Sequence, residues 1–132
     1  MITFANWVGA LVLIIALWPT LNVIAQSMPV QVGMSYSVAK DLLIKAGWRP
    51  LRYGDVLCDD NCFTHKQRKD LVGATHKMGL QETLACLPTQ PVSCEQLFFN
   101  SNGRGIILQT QSRNGSAYVM SIGSSYVYRR SQ

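Results

Sequence analysis

The spacing of apolar residues divides the chain into a leader and a domain. From Trp7 to Trp18 the residues run Trp-Val-Gly-Ala-Leu-Val-Leu-Ile-Ile-Ala-Leu-Trp without a charge, a stretch of about 12 residues that fits the apolar core of a secretory signal peptide. As a helix it would span roughly 18 Å, short of a hydrocarbon layer about 30 Å thick. Pro19 and Asn22 break the run, and Val23-Ile24-Ala25 ends on the small residue a signal peptidase accepts. Cleavage after Ala25 is the first expectation and cleavage after Ser27 the second. No Lys or Arg precedes the apolar core, so an uncleaved anchor over Ile2 to Ala25 stands beside the cleaved peptide.

Downstream the pattern becomes that of a single domain, residues 26–132. Ser35 to Ala46 predicts a helix: Ser35 suits the N-cap, Val38, Ala39, Leu42, Leu43 and Ala46 recur three and four apart, and Gly47 suits the exit. Trp48 to Tyr53 reads as a short strand that Pro50 places at an edge. Phe63 to Met78 reads as a second helix, weakened by Gly73 and Gln67. From Leu80 the period shortens towards two. Leu80 to Leu87, Glu95 to Asn100, Ile106 to Ser112, Ser116 to Ile122 and Ser125 to Arg129 read as strands, with Asn102-Gly103 and Asn114-Gly115 as hairpin turns. The expected fold class is α+β: one or two helices packed on a three- to four-stranded antiparallel meander, braced by disulfides.

The cysteines sharpen this picture. Cys58, Cys62, Cys86 and Cys94 all follow the leader, and an even count in a small exported domain reads as a disulfide framework. Cys58 with Cys62 and Cys86 with Cys94 are the favoured pairs, because each flanks a short polar or Pro-containing loop that can bring its ends within bridging distance. Metal binding is the rival, with Cys58, Asp59, Asp60, Cys62, His65 and His76 as ligands. Its gaps of three residues between the cysteines and ten between the histidines depart from the usual zinc spacings.

Composition adds charge. The whole chain is 48% hydrophobic, and all 12 Lys/Arg and 7 Asp/Glu lie after residue 25, giving a net charge of +5. The length allows one domain and excludes a doubly wound dinucleotide fold or a (β/α)8 barrel. No nucleophile motif is visible, and Asp59-Asp60 reads as a turn rather than an acid/base pair, so a non-catalytic protein without a cofactor is expected. On a helix His65 and His76 would stand some 16 Å apart, and both read as surface residues.

The basic run His65-Lys66-Gln67-Arg68-Lys69 supplies much of the positive asymmetry. Export argues against nucleic acid and for an anionic envelope polymer or a protein partner. Lys66, Arg68 and Lys69 with Asp59 and Asp60 are the candidate partner-binding residues, and a membrane is a partner only if the leader is retained.

Pro29-Val30-Gln31-Val32-Gly33-Met34-Ser35, followed by Ala39, Leu42 or Leu43, Ala46 and Gly47-Trp48, resembles the opening of a PASTA domain. The likeness ends after Trp48. Across Gly33 to Trp48 and again across Cys86 to Gly103, the chain is similar to small exported bacterial proteins with a Gly-Met-x-Tyr helix and a Cys-bounded segment leading into a Phe-rich strand. Its layout is similar, more distantly, to exported inhibitor domains such as beta-lactamase-inhibitory proteins. The signal-like leader, the disulfide-type cysteines and the lack of a catalytic motif point to an exported, non-catalytic binding protein of the bacterial envelope, periplasmic or secreted, with an inhibitor or immunity protein as one specific version. A membrane-tethered structural or assembly protein of the envelope is the alternative.

Overall fold

The computed structural model describes residues 27–67 and 80–131. Among them are one helix, α1 (Tyr36–Lys45), and seven strands: β1 (Arg49–Pro50), β2 (Val56–Cys58), β3 (Cys62–Thr64), β4 (Thr83–Leu87), β5 (Ser93–Phe99), β6 (Arg104–Arg113) and β7 (Ser116–Arg129). They form one antiparallel sheet in the order β1-β5-β6-β7-β2-β3, with β4 also pairing β5. The sheet curls into a half-barrel. This corrects the expected architecture of one or two helices on a three- to four-stranded meander: the domain is mostly β.

The helix forms where the apolar spacing places it. Ser35 has extended backbone angles at the N-cap, although its side chain makes no capping bond. At the other end Gly47 takes φ +87°, a conformation costly for a residue with a Cβ. Its N–H bonds the Ile44 carbonyl at 3.0 Å and the Trp48 N–H bonds that of Leu43 at 2.9 Å, the paired bonds of a Schellman ending. Tyr36, Ala39 and Leu43 are thereby buried against Phe98, Ile106, Leu108 and Val119 on one face of the sheet.

The second expected helix does not form over its first residues. Phe63 lies in β3 opposite Leu57, in a hairpin whose ends are Cys58 and Cys62. Its apolar pattern misleads because a three-residue strand is too short to display a period of two. The rest of that expected helix, from Arg68 to Met78, lies outside the described residues.

The C-terminal half follows the alternation more closely. The long β6–β7 hairpin turns at Asn114-Gly115, with Arg113 paired to Ser116. The two strands expected between Ser116 and Arg129 are one strand of 14 residues, whose register against β6 shifts at Arg104/Gly105 and Gln109/Thr110. Pro50 sits in β1 at the sheet margin, as its missing N–H requires.

The short path from β1 to β2 requires the curl. Both strands run in the same direction with β5, β6 and β7 between them, so a flat sheet would separate them by about 19 Å. Leu51 is still held at the β5 margin, its N–H on the Leu97 carbonyl at 3.0 Å. From there the chain turns tightly through Arg52–Asp55 and can reach at most about 14 Å by Val56. The sheet therefore bends until β1 and β2 approach across its inner face. Leu51, which follows β1, and Leu57 of β2 pack on Leu97, Phe99 and Val127 from the middle, forming a second core on the inner face. Alternation along Leu97-Phe98-Phe99 feeds both cores from one strand.

Both disulfides have the expected pairing, Cys58–Cys62 and Cys86–Cys94, and each closes a two-strand ladder across directly opposed residues. Loop closure of this length is worth about 2 to 3 kcal/mol per bridge in the chain-entropy model.

Gly105 lets β6 and β7 approach closely where the sheet curls. A Cβ there would lie 2.9 Å from the Val127 carbonyl oxygen and 2.9 Å from the Ser125 Cβ. Gly105→Ala is expected to lower unfolding stability by about 1 to 3 kcal/mol through overpacking, measured by denaturant titration; an unchanged midpoint would show that β7 can shift outward without penalty.

Candidate functional site

Two groups of polar side chains stand out. The first is buried. Glu82 precedes β4 and is almost fully covered, 3% exposed. Its Oε1 accepts from the Tyr36 hydroxyl at 2.6 Å and from the Lys40 ammonium at 2.6 Å. Tyr36 and Lys40 lie one turn apart on α1, so they present both donors on one helix face. The Leu97 N–H bonds the Glu82 carbonyl at 2.9 Å, which fixes the backbone of the acceptor. This group ties the helix to the sheet. Burial first, and then the adjacent Glu82 carboxylate, push the Tyr36 phenol well above its ordinary range.

The second group is open. Between β1, the turn that leads into β2 and the end of β7 lies a cleft of about 480 Å³, whose lining includes Arg49, Tyr53, Asp55, Arg129 and Arg130. Arg49 pairs with Phe99 in register and Arg129 with Leu57, so both belong to the inner face of the half-barrel, at its rim. The Arg52–Asp55 turn forms the opposite wall. Gly54 takes φ +91° within it, and the Asp55 carboxylate accepts from the Arg52 N–H at 2.9 Å through Oδ2. Its other oxygen faces Arg129, 3.8 Å from Nη1. Arg130 is held from the far side, its N–H on the Val56 carbonyl at 2.9 Å.

His65 supports this wall. It is buried, against the expectation of a surface residue, because the chain continues from β3 alongside Gly54 and Asp55 instead of entering a helix. Its N–H bonds the Asp55 carbonyl at 2.8 Å, its carbonyl accepts from the Gly54 N–H at 2.8 Å, and its ring lies 5.2 Å from that of Tyr53 in a stacked arrangement. Its Nε2 lies 3.0 Å from the Gln81 carbonyl oxygen. His76 lies outside the described residues.

Of the residues expected to bind a partner, the structure describes Asp59, Asp60 and Lys66. Asp59 and Asp60 are exposed at the tip of the β2–β3 hairpin, where Asp59 Oδ1 accepts from the Asn61 N–H at 2.9 Å. That bond is a turn contact. Lys66 is exposed just beyond His65, and Arg68 and Lys69 lie outside the described residues. The Cys58 and Cys62 sulfurs are bonded to each other, so they are not thiolate ligands for a metal. Sequence reasoning finds Arg129 and Arg130 among the sources of positive charge but does not bring Arg49 to them, because no local motif joins a position on β1 to the end of β7. The basic pair Arg129-Arg130 after an alternating strand is the one local sign.

Chemically, the described lining of the cleft sets three guanidiniums against a single carboxylate. Guanidinium is charged at every physiological pH and offers a planar fork of donors suited to oxyanions. Comparison of the chain with protein-family models, with curated proteins and with solved structures finds no match in any of the three. The two disulfides point to an oxidising, extracytoplasmic environment. Among the described residues no helix is long and apolar enough to cross a membrane.

The Tyr36 phenol gives a pH-dependent test of the buried group. In the unfolded chain it ionises near pH 10, whereas in the folded protein it keeps its proton. The folded state then binds a proton that the unfolded state has lost, so the stability from this group is complete below about pH 10 and declines above it. Tyr36→Phe is expected to cost about 1.5 to 3 kcal/mol at pH 8, the value of a hydrogen bond to a charged group. The gap between wild type and variant should then narrow above pH 10. Parallel stability curves up to pH 11 would contradict the assignment.

Proposed function

We propose that this chain is an exported, non-catalytic binding protein of the bacterial envelope, and that the arginine-lined cleft is where it takes an anionic partner. The partner is an acidic protein surface or an anionic envelope polymer, and an inhibitor or immunity-type role is one form of that activity. Residues 1–25 serve as the leader that exports it to the periplasm or beyond. The observation that carries the reading is the convergence of Arg49, Arg129 and Arg130 on one open cleft, with Asp55 the one carboxylate among its described lining residues. A surplus of fixed positive charge at a concave rim attracts anions and accelerates their encounter. The disulfides support the export part of the reading.

The exposed Lys66, one residue from the buried His65 that backs the cleft wall, extends the positive character beyond the cleft. The hairpin tip at Asp59-Asp60 is of opposite charge and serves the turn. Of the described residues that the sequence nominates for partner contact, Lys66 keeps that role in this reading.

Two measurements test the reading. Mass spectrometry of the mature protein is expected to find a chain beginning at Gln26; an intact Met1 in the membrane fraction would establish the tethered alternative. Retention of the purified protein on envelope material is expected to fall as salt rises from about 0.05 to about 0.5 M, as screening requires. It should drop about tenfold or more for the double variant Arg49→Gln, Arg130→Gln. Equal retention of a folded double variant would remove the cleft from the binding reaction.

A further inference from the structure

Resting on the reading of the cleft as an anion site, we propose that its ligand is an acidic sugar, a glycan unit that carries a carboxylate or phosphate group together with free hydroxyls. Three features of the lining converge on this class. Arg49 and Arg130 have no carboxylate partner among the described residues, so their guanidiniums are available to grip an oxyanion in the bidentate manner. Asp55 is the second feature. A carboxylate inside an anion site repels a bare polyanion, and its presence is productive when the ligand also brings donors. Its Oδ1 stands 3.8 Å from Arg129, an ion-pair distance outside hydrogen-bond range, so that oxygen can accept from a hydroxyl while Oδ2 remains in the turn.

Tyr53 is the third feature. It is 41% exposed although it lines the cleft and its ring is stacked on the buried His65 ring. An aromatic ring held rigidly on one side and open on the other gives an apolar platform with a polar tip. The C–H face of a pyranose fits such a platform, and its ring hydroxyls then point sideways towards Asp55. An acidic peptide offers the oxyanions but neither a flat aliphatic face nor a ring of neighbouring hydroxyls. Polyphosphate offers oxyanions alone.

The test uses the intact, disulfide-bonded protein, titrated calorimetrically at fixed ionic strength against five probes. Oligogalacturonate and phosphomannan are the carboxylate and phosphate forms of an acidic glycan, polyglutamate and polyphosphate are sugar-free polyanions, and maltohexaose is a neutral glycan. One or both acidic glycans are expected to bind at least tenfold more tightly than either sugar-free polyanion, and the arm that binds identifies the acidic group. Tyr53→Ala should weaken the acidic glycan at least tenfold and change polyglutamate less than twofold. Asp55→Asn should weaken the acidic glycan while strengthening polyphosphate, a reversal that a merely destabilised cleft would not give. Arg49→Gln, at an exposed side chain, should weaken every anionic probe and leave the melting temperature unchanged.

Polyglutamate or polyphosphate binding as tightly as the glycans would overturn the acidic-sugar assignment and leave the anion site standing. Maltohexaose binding equally well would overturn the need for an anion. Failure of all five probes would overturn both the assignment and the reading beneath it.

Discussion

The link from β1 to β2 is the constraint on which the half-barrel depends. Leu51 is bonded to one side of the sheet and Val56 begins a strand on the other, and a connector that spends its middle residues in a tight turn cannot cross a flat sheet. Bending is the solution available to it. Once β1 and β2 approach, Leu51 and Leu57 cover the inner surfaces of β5 and β7, and apolar positions that would otherwise face water become a core. The outer face is covered by α1. One sheet thus supports two cores, which is how β5 can carry three consecutive fully covered apolar residues, Leu97, Phe98 and Phe99, directly after the equally covered Gln96.

The same bend creates the cleft. Arg49 and Arg129 are far apart in the chain and lie on strands separated by β5 and β6 in the sheet, yet both stand at the rim where β1 and the end of β7 converge. Bringing guanidiniums together costs electrostatic energy, and Asp55 offsets part of that cost by facing Arg129. The turn that carries Asp55 is in turn held by backbone bonds to His65, and His65 follows the hairpin closed by Cys58–Cys62. The disulfide and the cleft wall are therefore successive parts of one segment, so the geometry of the site depends on the brace beside it.

What the sequence makes legible is what it encodes locally. The helix follows from apolar residues three and four apart and from Gly47 at its end. The Asn114-Gly115 turn and the disulfide partners follow from short spacings. The curl does not, because it arises from the length of one connector measured against a strand order that no local pattern reveals. Strands β2 and β3 are too short to show alternation, so apolar spacing draws Phe63 into a helix that its pairing with Leu57 replaces. Glu82 gives no sign of its role: an isolated acid in a strand-like stretch meets Tyr36 and Lys40 only after the helix has packed. The charged residues that the sequence favours are adjacent along the chain, whereas the cleft gathers arginines from opposite ends of the domain.

Val30 is buried beneath the helix, and the Gly33 N–H bonds the Val119 carbonyl at 2.7 Å, so the folded body begins almost as soon as the described chain does. The covalent path from Ala25 to Val30 can extend no more than about 18 Å. Anything that holds Ala25 in place also keeps Val30, and with it the adjoining edge of the half-barrel, within that reach. Folding of the domain and freedom of its N-terminal end are consequently coupled by length alone: Val30 can reach its seat only if the segment before it is slack enough to allow the docking.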